Sequence, residues 1–244
     1  MSDENAMLIA NEITRRVGGR VLLDRFSLEL EAGEVVALIG ANGSGKSTCL
    51  KALSMFEPPD QGTLRIGGRA FEFPLRDLRV REAVWPELTV VFQQLFLWPH
   101  LTNRENIWLP LRDAGESGAA AAESLVERFG LREFLGRYPN EVSLGQRQRV
   151  ALVRALALRP KWLLLDEATA SLDVAYTSVL LDHLETVRRD GAGVVLVTHL
   201  VGFARQIADK VIFLHEGRVM ETGTVEILRT PASPELRRFL SLVD

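Results

Sequence analysis

The rhythm of hydrophobic and polar positions changes several times along the chain. Near the start, Phe26, Leu28 and Leu30 alternate with Ser27, Glu29 and Glu31, the period-two pattern of a strand with one buried face. After a turn at Ala32-Gly33, EVVALIG is apolar throughout, as expected of a strand covered on both faces. A glycine-rich loop and a helix over roughly Lys46 to Met55 follow; PPDQG predicts a turn, TLRIGG a short strand and TVVFQQ another. From about Trp98 to Arg159 the spacing turns helical, with helices expected at TNRENIWLPLRDA, AAAAESLVERFG, LREFLGRY and from Ser143 onward. GESGAAAAE predicts a small loop leading into the second of these. KWLLLDE and GVVLVTH then read as buried strands separated by a helix near Val174 to Arg189, and DKVIFLHEG, GRVMETG and two short amphipathic helices follow. Strands alternating with helices predict an α/β fold around a parallel sheet. Its parts are a β-rich N-terminal region, a helical block at 98–159, and a core assembled from 1–97 and 160–244.

Composition narrows the function without naming it. The chain has 244 residues, of which 47% are hydrophobic and 25% charged, which suits a single globular unit with a sizeable core. A formal charge of −3 gives no global nucleic-acid footprint. Cys49 is the only cysteine, so no intrachain disulfide can form and a reducing compartment is expected. The opening MSDENAMLIANE lacks the basic-then-apolar order of a signal peptide, and no apolar run approaches the roughly 18 residues of a membrane span. A soluble chain is expected, one that works at a membrane only through a partner.

Chemistry concentrates at a few short stretches. Gly40 to Thr48, GANGSGKST, fits the phosphate-loop pattern between a strand and a helix. Gly43 and Gly45 let the backbone curl so that N–H groups point inward at phosphate oxygens, with Gly40, Asn42 and Ser44 completing the loop. Lys46 should reach the β- and γ-phosphates and Ser47 should ligate Mg²⁺, Thr48 following it. KWLLLDE ends in two carboxylates: Asp166 can hold the magnesium and Glu167 can orient or deprotonate water, unless the pair merely caps the strand. VSLGQRQR carries Ser143 and Gln146 at capping-box spacing, so a helix starts there and offers an anion site, or simply a cap. Thr102 and Glu105 share that spacing.

Taken together, these residues resemble the ATP-binding cassette subunit of an ABC transporter, over nearly the whole chain. The resemblance implies a P-loop NTPase (RecA-like) core with an antiparallel β subdomain and an inserted α-helical subdomain. GANGSGKST resembles the Walker A loop and WLLLDE the Walker B strand, with Glu167 as catalytic base. Gln93 in VFQQ resembles the Q-loop glutamine and would also touch the metal; Asp173, closing ASLD, resembles the D-loop; His199 resembles the switch histidine. VSLGQ sits where the signature LSGGQ lies, so Ser143, Gly145 and Gln146 would meet a nucleotide held by a second copy. Further implications are ATP and Mg²⁺ as ligands and a head-to-tail homodimer. Integral membrane permease subunits, a periplasmic or extracellular substrate-binding protein reached indirectly, and residence on the cytoplasmic face of the membrane are also implied. LFLWPHL would border the groove that receives the membrane subunit, and at least one of Phe96 and Trp98 should be exposed there. THLVGFARQIADKVIFLHEGRVMETG and PELRRFLSLV look most like importers of polar amino acids. A methionine-type importer, a lipoprotein-releasing system and a non-transport regulatory cassette are the alternatives.

Three positions depart from the family. Leu144 replaces the first signature glycine and should adopt ordinary helical angles. Val17 stands where the family carries an aromatic residue against adenine, which predicts weakened base selectivity. Leu200 replaces a frequent acidic residue, and no physical account of it is evident.

Overall fold

The computed structural model describes residues 7–112 and 115–243. Two sheets organise the chain. The first is antiparallel, in the order β2-β1-β4-β5, and comprises β1 (Met7–Val17), β2 (Arg20–Glu31), β4 (Gln61–Ile66) and β5 (Arg69–Phe73). The second runs β10-β9-β3-β8-β7-β6. In it β3 (Val35–Ile39), β6 (Leu88–Val91), β7 (Trp162–Asp166), β8 (Gly193–Val197) and β9 (Lys210–His215) are parallel, and β10 (Arg218–Gly223) pairs antiparallel at one edge.

The sheet faces explain why two strand patterns coexist. In β2, Phe26, Leu28 and Leu30 are buried and Ser27, Glu29 and Glu31 exposed, because only one face of that strand meets a core. β3, β7 and β8 are buried at every position, since both of their faces are covered. Val36, Leu164 and Val195 point into the core shared with the antiparallel sheet and α1 (Lys46–Leu53). Val35, Leu163 and Val194 point the other way, toward α3 (Gly115–Arg128), α4 (Leu144–Leu156) and α5 (Val174–Arg189). A third cluster joins Ile39 and Phe213 to α6 (Val201–Ile207) and α7 (Pro234–Val243). Each fully buried leucine or valine contributes about 1.5–3 kcal/mol by leaving water.

Several expectations need correction. LREFLGRY is not a helix: only Arg132–Phe134 form a 3-10 turn. Gly130 with φ 59° precedes that segment, and Pro139 with its missing N–H follows it. GESGAAAAE is not a loop, because α3 already begins at Gly115. The helix at TNRENIWLPLRDA is α2 (Asn103–Trp108) followed by a 3-10 turn at Leu109–Leu111, and Asp113 and Ala114 lie outside the described residues. TVVFQQ is strand only through Val91, so Phe92, Gln93 and Gln94 leave the sheet. Of the two expected closing helices, the first is a 3-10 turn at Val225–Leu228 and the second is α7. The short helix α6 went unread; no side-chain cap announces it, and it contains a glycine. Opening residues 1–6 lie outside the described part. Among the described residues no helix is long and apolar enough to cross a membrane.

Candidate nucleotide site

Every strand of the parallel sheet that carries a candidate residue delivers it at its C-terminal end. β3 runs into Gly40 and the loop that leads to α1. Gly43 and Gly45 take left-handed angles, φ 78° and 106°, which a side chain would strain. Gly45 caps α1 without a side-chain hydrogen bond, so the first backbone N–H groups of the helix remain open to an anion. Ser44 is buried and its hydroxyl has no protein partner, a further polar atom waiting at the same loop. Lys46 Nζ donates to the carbonyls of Gly40 at 2.8 Å and Ala41 at 2.9 Å. Burial lowers the proton affinity of that ammonium, while Glu167 and Asp166 act in the opposite direction.

β7 brings the two carboxylates to the same place. Asp166 is buried and its Oδ1 accepts from the Ser47 hydroxyl at 3.2 Å. Burial pushes the carboxyl upward, and the bond from Ser47 and the charge of Lys46 resist that push. Glu167 lies just beyond the strand in a left-handed conformation, φ 49°, of the kind that costs a non-glycine residue about 1–3 kcal/mol. Its N–H donates to the Val197 carbonyl at 2.9 Å and its own carbonyl accepts from Ala170 at 3.0 Å, which holds the turn. The carboxylate then stands between two candidates from other strands. Gln93 Nε2 lies 3.5 Å from Oε2, and His199 Nδ1 lies 3.5 Å from Oε1. Both contacts are long, so all three side chains keep hydrogen-bonding capacity for a ligand.

Gly40, Lys46, Ser47, Gln93, Glu167 and His199 line one open cleft of about 1060 Å³, together with Asn42 and Thr48, while Ser44 and Asp166 are buried behind its wall. The same cleft is lined by aliphatic side chains, Val21 of β2 and Leu242 and Val243 of α7, and by the charged Arg20 and Glu216. This aliphatic lining was not legible beforehand, because Val21 and Leu242 are far apart in sequence and belong to no motif. Val17 does not border the cleft; the Gly18-Gly19 turn pairs it with Arg20 at the hairpin tip, and it is exposed there.

Four further candidates lie away from this cleft. Ser143 caps α4, its hydroxyl accepting from the Gln146 N–H at 3.2 Å while Gln146 Oε1 accepts from the Ser143 N–H at 2.8 Å. Leu144 opens α4 without left-handed angles and is 53% exposed. Gly145 is required for a different reason: a Cβ there would sit 2.6 Å from the Ser171 carbonyl oxygen. That approach joins VSLGQ to ASLD within one chain. Asp173 caps α5, accepting from the Tyr176 N–H at 2.9 Å.

A second surface lies on the far side of the segment after Gln93. Phe56, Trp85, Phe96 and Trp98 border a groove of about 870 Å³, and all four are exposed. Phe56 and Phe96 pack at 5.6 Å, both against Phe92. Arg154 of α4 donates to the carbonyls of Leu95 at 2.7 Å and Phe96 at 2.9 Å, its guanidinium over the Trp98 ring. Burial pushes Arg154 down to about 10, which leaves it charged at neutral pH.

Comparison with known proteins gives the same picture. Residues 23–170 match the ABC transporter family. Over 98% of its length the chain is 38% identical to the glutamine transport ATP-binding protein GlnQ of Escherichia coli (strain K12), covering 100% of that protein. It is 36% identical to the histidine/lysine/arginine/ornithine transport ATP-binding protein HisP of the same strain, over 94% of the chain and 95% of the relative. A dimeric post-hydrolysis ATP-binding cassette bound to ADP and Pi superposes with a TM-score of 0.79 at 31% identity, over 89% of this chain and 98% of that one.

Proposed function

The chain belongs to the ABC transporter family, and from that premise we propose that it is the ATP-hydrolysing subunit powering import of polar amino acids. One observation carries the hydrolytic part: Glu167 is held beside the phosphate loop, flanked by Gln93 and His199. The α1 amides and Lys46 bind and orient the triphosphate and hold the charge that grows on the γ-phosphoryl oxygens. Glu167 orients the attacking water in line and takes up its proton. His199 and Gln93 stand close enough to that carboxylate to register the γ-phosphate. The products are ADP and phosphate.

The oxygen set fits Mg²⁺. Ser47 and Asp166 converge on one point, and among the described residues no group of three or more His, Cys, Asp or Glu could hold a metal. A cation here would therefore draw its remaining ligands from phosphate, water and Gln93, which is the habit of magnesium. When bound, it would neutralise phosphate charge.

Ser143, Gly145 and Gln146 are read as the half-site offered to a second copy in a head-to-tail homodimer. Their removal from the cleft of their own chain supports that reading, as does the dimeric cassette of similar fold. The chain is treated as one nucleotide-binding unit, with 1–97 and 160–244 forming the ATP-binding core and 98–159 the helical signature block. The exposed aromatic groove supports a role in receiving an integral membrane permease subunit, and with that role goes residence on the cytoplasmic face of the membrane as part of the same proposal. A substrate-binding protein outside the cell would meet it only indirectly. The relatives are named for transport of glutamine and of histidine, lysine, arginine and ornithine, and a polar amino acid is the class proposed for this chain.

The test is Glu167→Gln, reconstituted with permease subunits and amino-acid-binding protein. ATP binding should persist while turnover and uptake of the amino acid cease. Turnover at the wild-type level in that variant would remove Glu167 from its role.

A further inference from the structure

The nucleotide cleft carries aliphatic side chains that the phosphate chemistry does not use, beside the charged Arg20 and Glu216. Leu242 is 79% exposed, Val243 42% and Val21 41%, and all three border the cleft that contains the phosphate loop. Packing does not account for Leu242, and Val243, although it continues the buried spacing of α7, is only partly covered. α7 buries Leu236, Phe239 and Leu240 against the third core cluster, and Leu242 falls outside that helical spacing. An exposed leucine is ordinary by itself. Here three aliphatic side chains, from two distant segments, face water in one cleft beside an anion site.

Both segments are fixed in place. The Glu221 carboxylate accepts from the N–H groups of Ala232 at 2.9 Å and Ser233 at 2.8 Å, and from the Ser233 hydroxyl at 2.7 Å. That hydroxyl in turn accepts from the Leu236 N–H at 3.3 Å, so the start of α7 is tied to β10. Further along, the Phe239 ring packs on Phe213 at 5.6 Å. On the other side, the turn between β9 and β10 links β2 to the phosphate loop. Gly217 accepts from the Asp24 N–H and donates to the Ser44 carbonyl, each at 2.9 Å. A Cβ at Gly45 or Gly217 would lie 2.8 Å or 2.6 Å from the Leu22 carbonyl oxygen, so these backbones are in contact.

We propose that Val21 together with Leu242 and Val243 forms the seat of the nucleotide base, an aliphatic clamp that receives the flat apolar face of the purine. The proposal rests on reading the cleft as the ATP site, and it deepens that reading by assigning the base end. A ligand that is polyanionic at one end and flat and apolar at the other matches a cleft lined by both a phosphate loop and exposed aliphatic side chains. Glu221 is a positioning residue in this scheme: it touches no nucleotide and aims α7.

Titration calorimetry of the full chain with ATP and with inorganic tripolyphosphate, in the presence of magnesium, tests the proposal. Leu242→Glu and Val21→Glu should each weaken ATP on the order of tenfold, since a carboxylate replaces apolar contact. Tripolyphosphate, which lacks a base, should bind the variants within about twofold of wild type. Glu221→Ala should weaken ATP in the same direction and leave tripolyphosphate alone. Unchanged ATP affinity in both glutamate variants would overturn the seat, and so would a parallel loss of ATP and tripolyphosphate. Failure of the wild-type chain to bind either ligand would overturn the nucleotide-site reading itself, and the seat with it.

Discussion

Gly145→Ala isolates a contact that the signature motif alone does not reveal. The added Cβ would lie 2.6 Å from the Ser171 carbonyl, whereas ordinary contact begins near 3.4 Å, so 3.4 − 2.6 = 0.8 Å must open. The opposing atom is backbone, so no side chain can simply swing aside. Forcing such a contact costs about 1–3 kcal/mol. Alanine returns up to about 1 kcal/mol of helix preference over glycine, less in a first turn. The net loss should be about 0–2 kcal/mol, a fall in Tm of a few degrees, at about 2–4 °C per kcal/mol for a chain this long. Turnover should suffer more than stability. A displacement approaching 1 Å moves either the α4 amides or the ASLD segment, and misplacement of that size costs about tenfold to a hundredfold. ATP affinity of the isolated chain should not change, because Gly145 stands away from the phosphate-loop cleft. Steady-state ATPase rates, ATP titrations and thermal melts of one preparation supply all three quantities. Wild-type turnover with an unshifted Tm would refute the reasoning.

The neighbouring position should behave in the opposite way: Leu144→Gly removes an exposed side chain from ordinary helical backbone, so ATPase activity should stay within about threefold of wild type. Asp173→Ala should lower stability by about 1 kcal/mol through loss of the α5 cap, whereas Asp173→Asn, which can still cap, should not; denaturant melts distinguish them. Arg154→Lys cannot serve the Leu95 and Phe96 carbonyls with one planar fork, so stimulation of ATPase activity by permease subunits should drop while basal turnover persists. Burial, reinforced by Arg128, pushes His183 down to about 4. As pH falls the unfolded chain takes up that proton first, near 6.5, so stability declines from there toward about 4. Urea unfolding at pH 7 and pH 5 should show a smaller decline in His183→Gln.

The parts of this molecule legible in its sequence are those encoded contiguously. The phosphate loop needs its glycines and lysine in one nine-residue stretch, and β3, β7 and β8 announce themselves because strands covered on both faces must be apolar at every position. The capping boxes at Thr102 and Ser143 were readable for the same reason, as a hydroxyl and its reciprocal partner stand three residues apart. Leu144 takes the helical backbone expected of a side chain at that position. What escaped depends on tertiary approach. Nothing in VSLGQ says that Gly145 must admit the Ser171 carbonyl, and nothing in the last turn of α7 says that Leu242 borders the cleft begun at Gly40. LREFLGRY carries an apolar spacing that reads as helical, yet Gly130 and Pro139 outweigh so short a segment.

In the proposed mechanism two copies of the chain complete one another's nucleotide sites, and the hydrolysis-blocked Glu167→Gln protein tests this most directly. Its mass by light scattering should be that of a dimer with magnesium and ATP, that of a monomer with ADP, and monomeric again with ATP when Ser143→Arg is added. A mass that stays monomeric with ATP, both alone and beside the permease subunits, or a dimer indifferent to nucleotide and to Ser143, would contradict it.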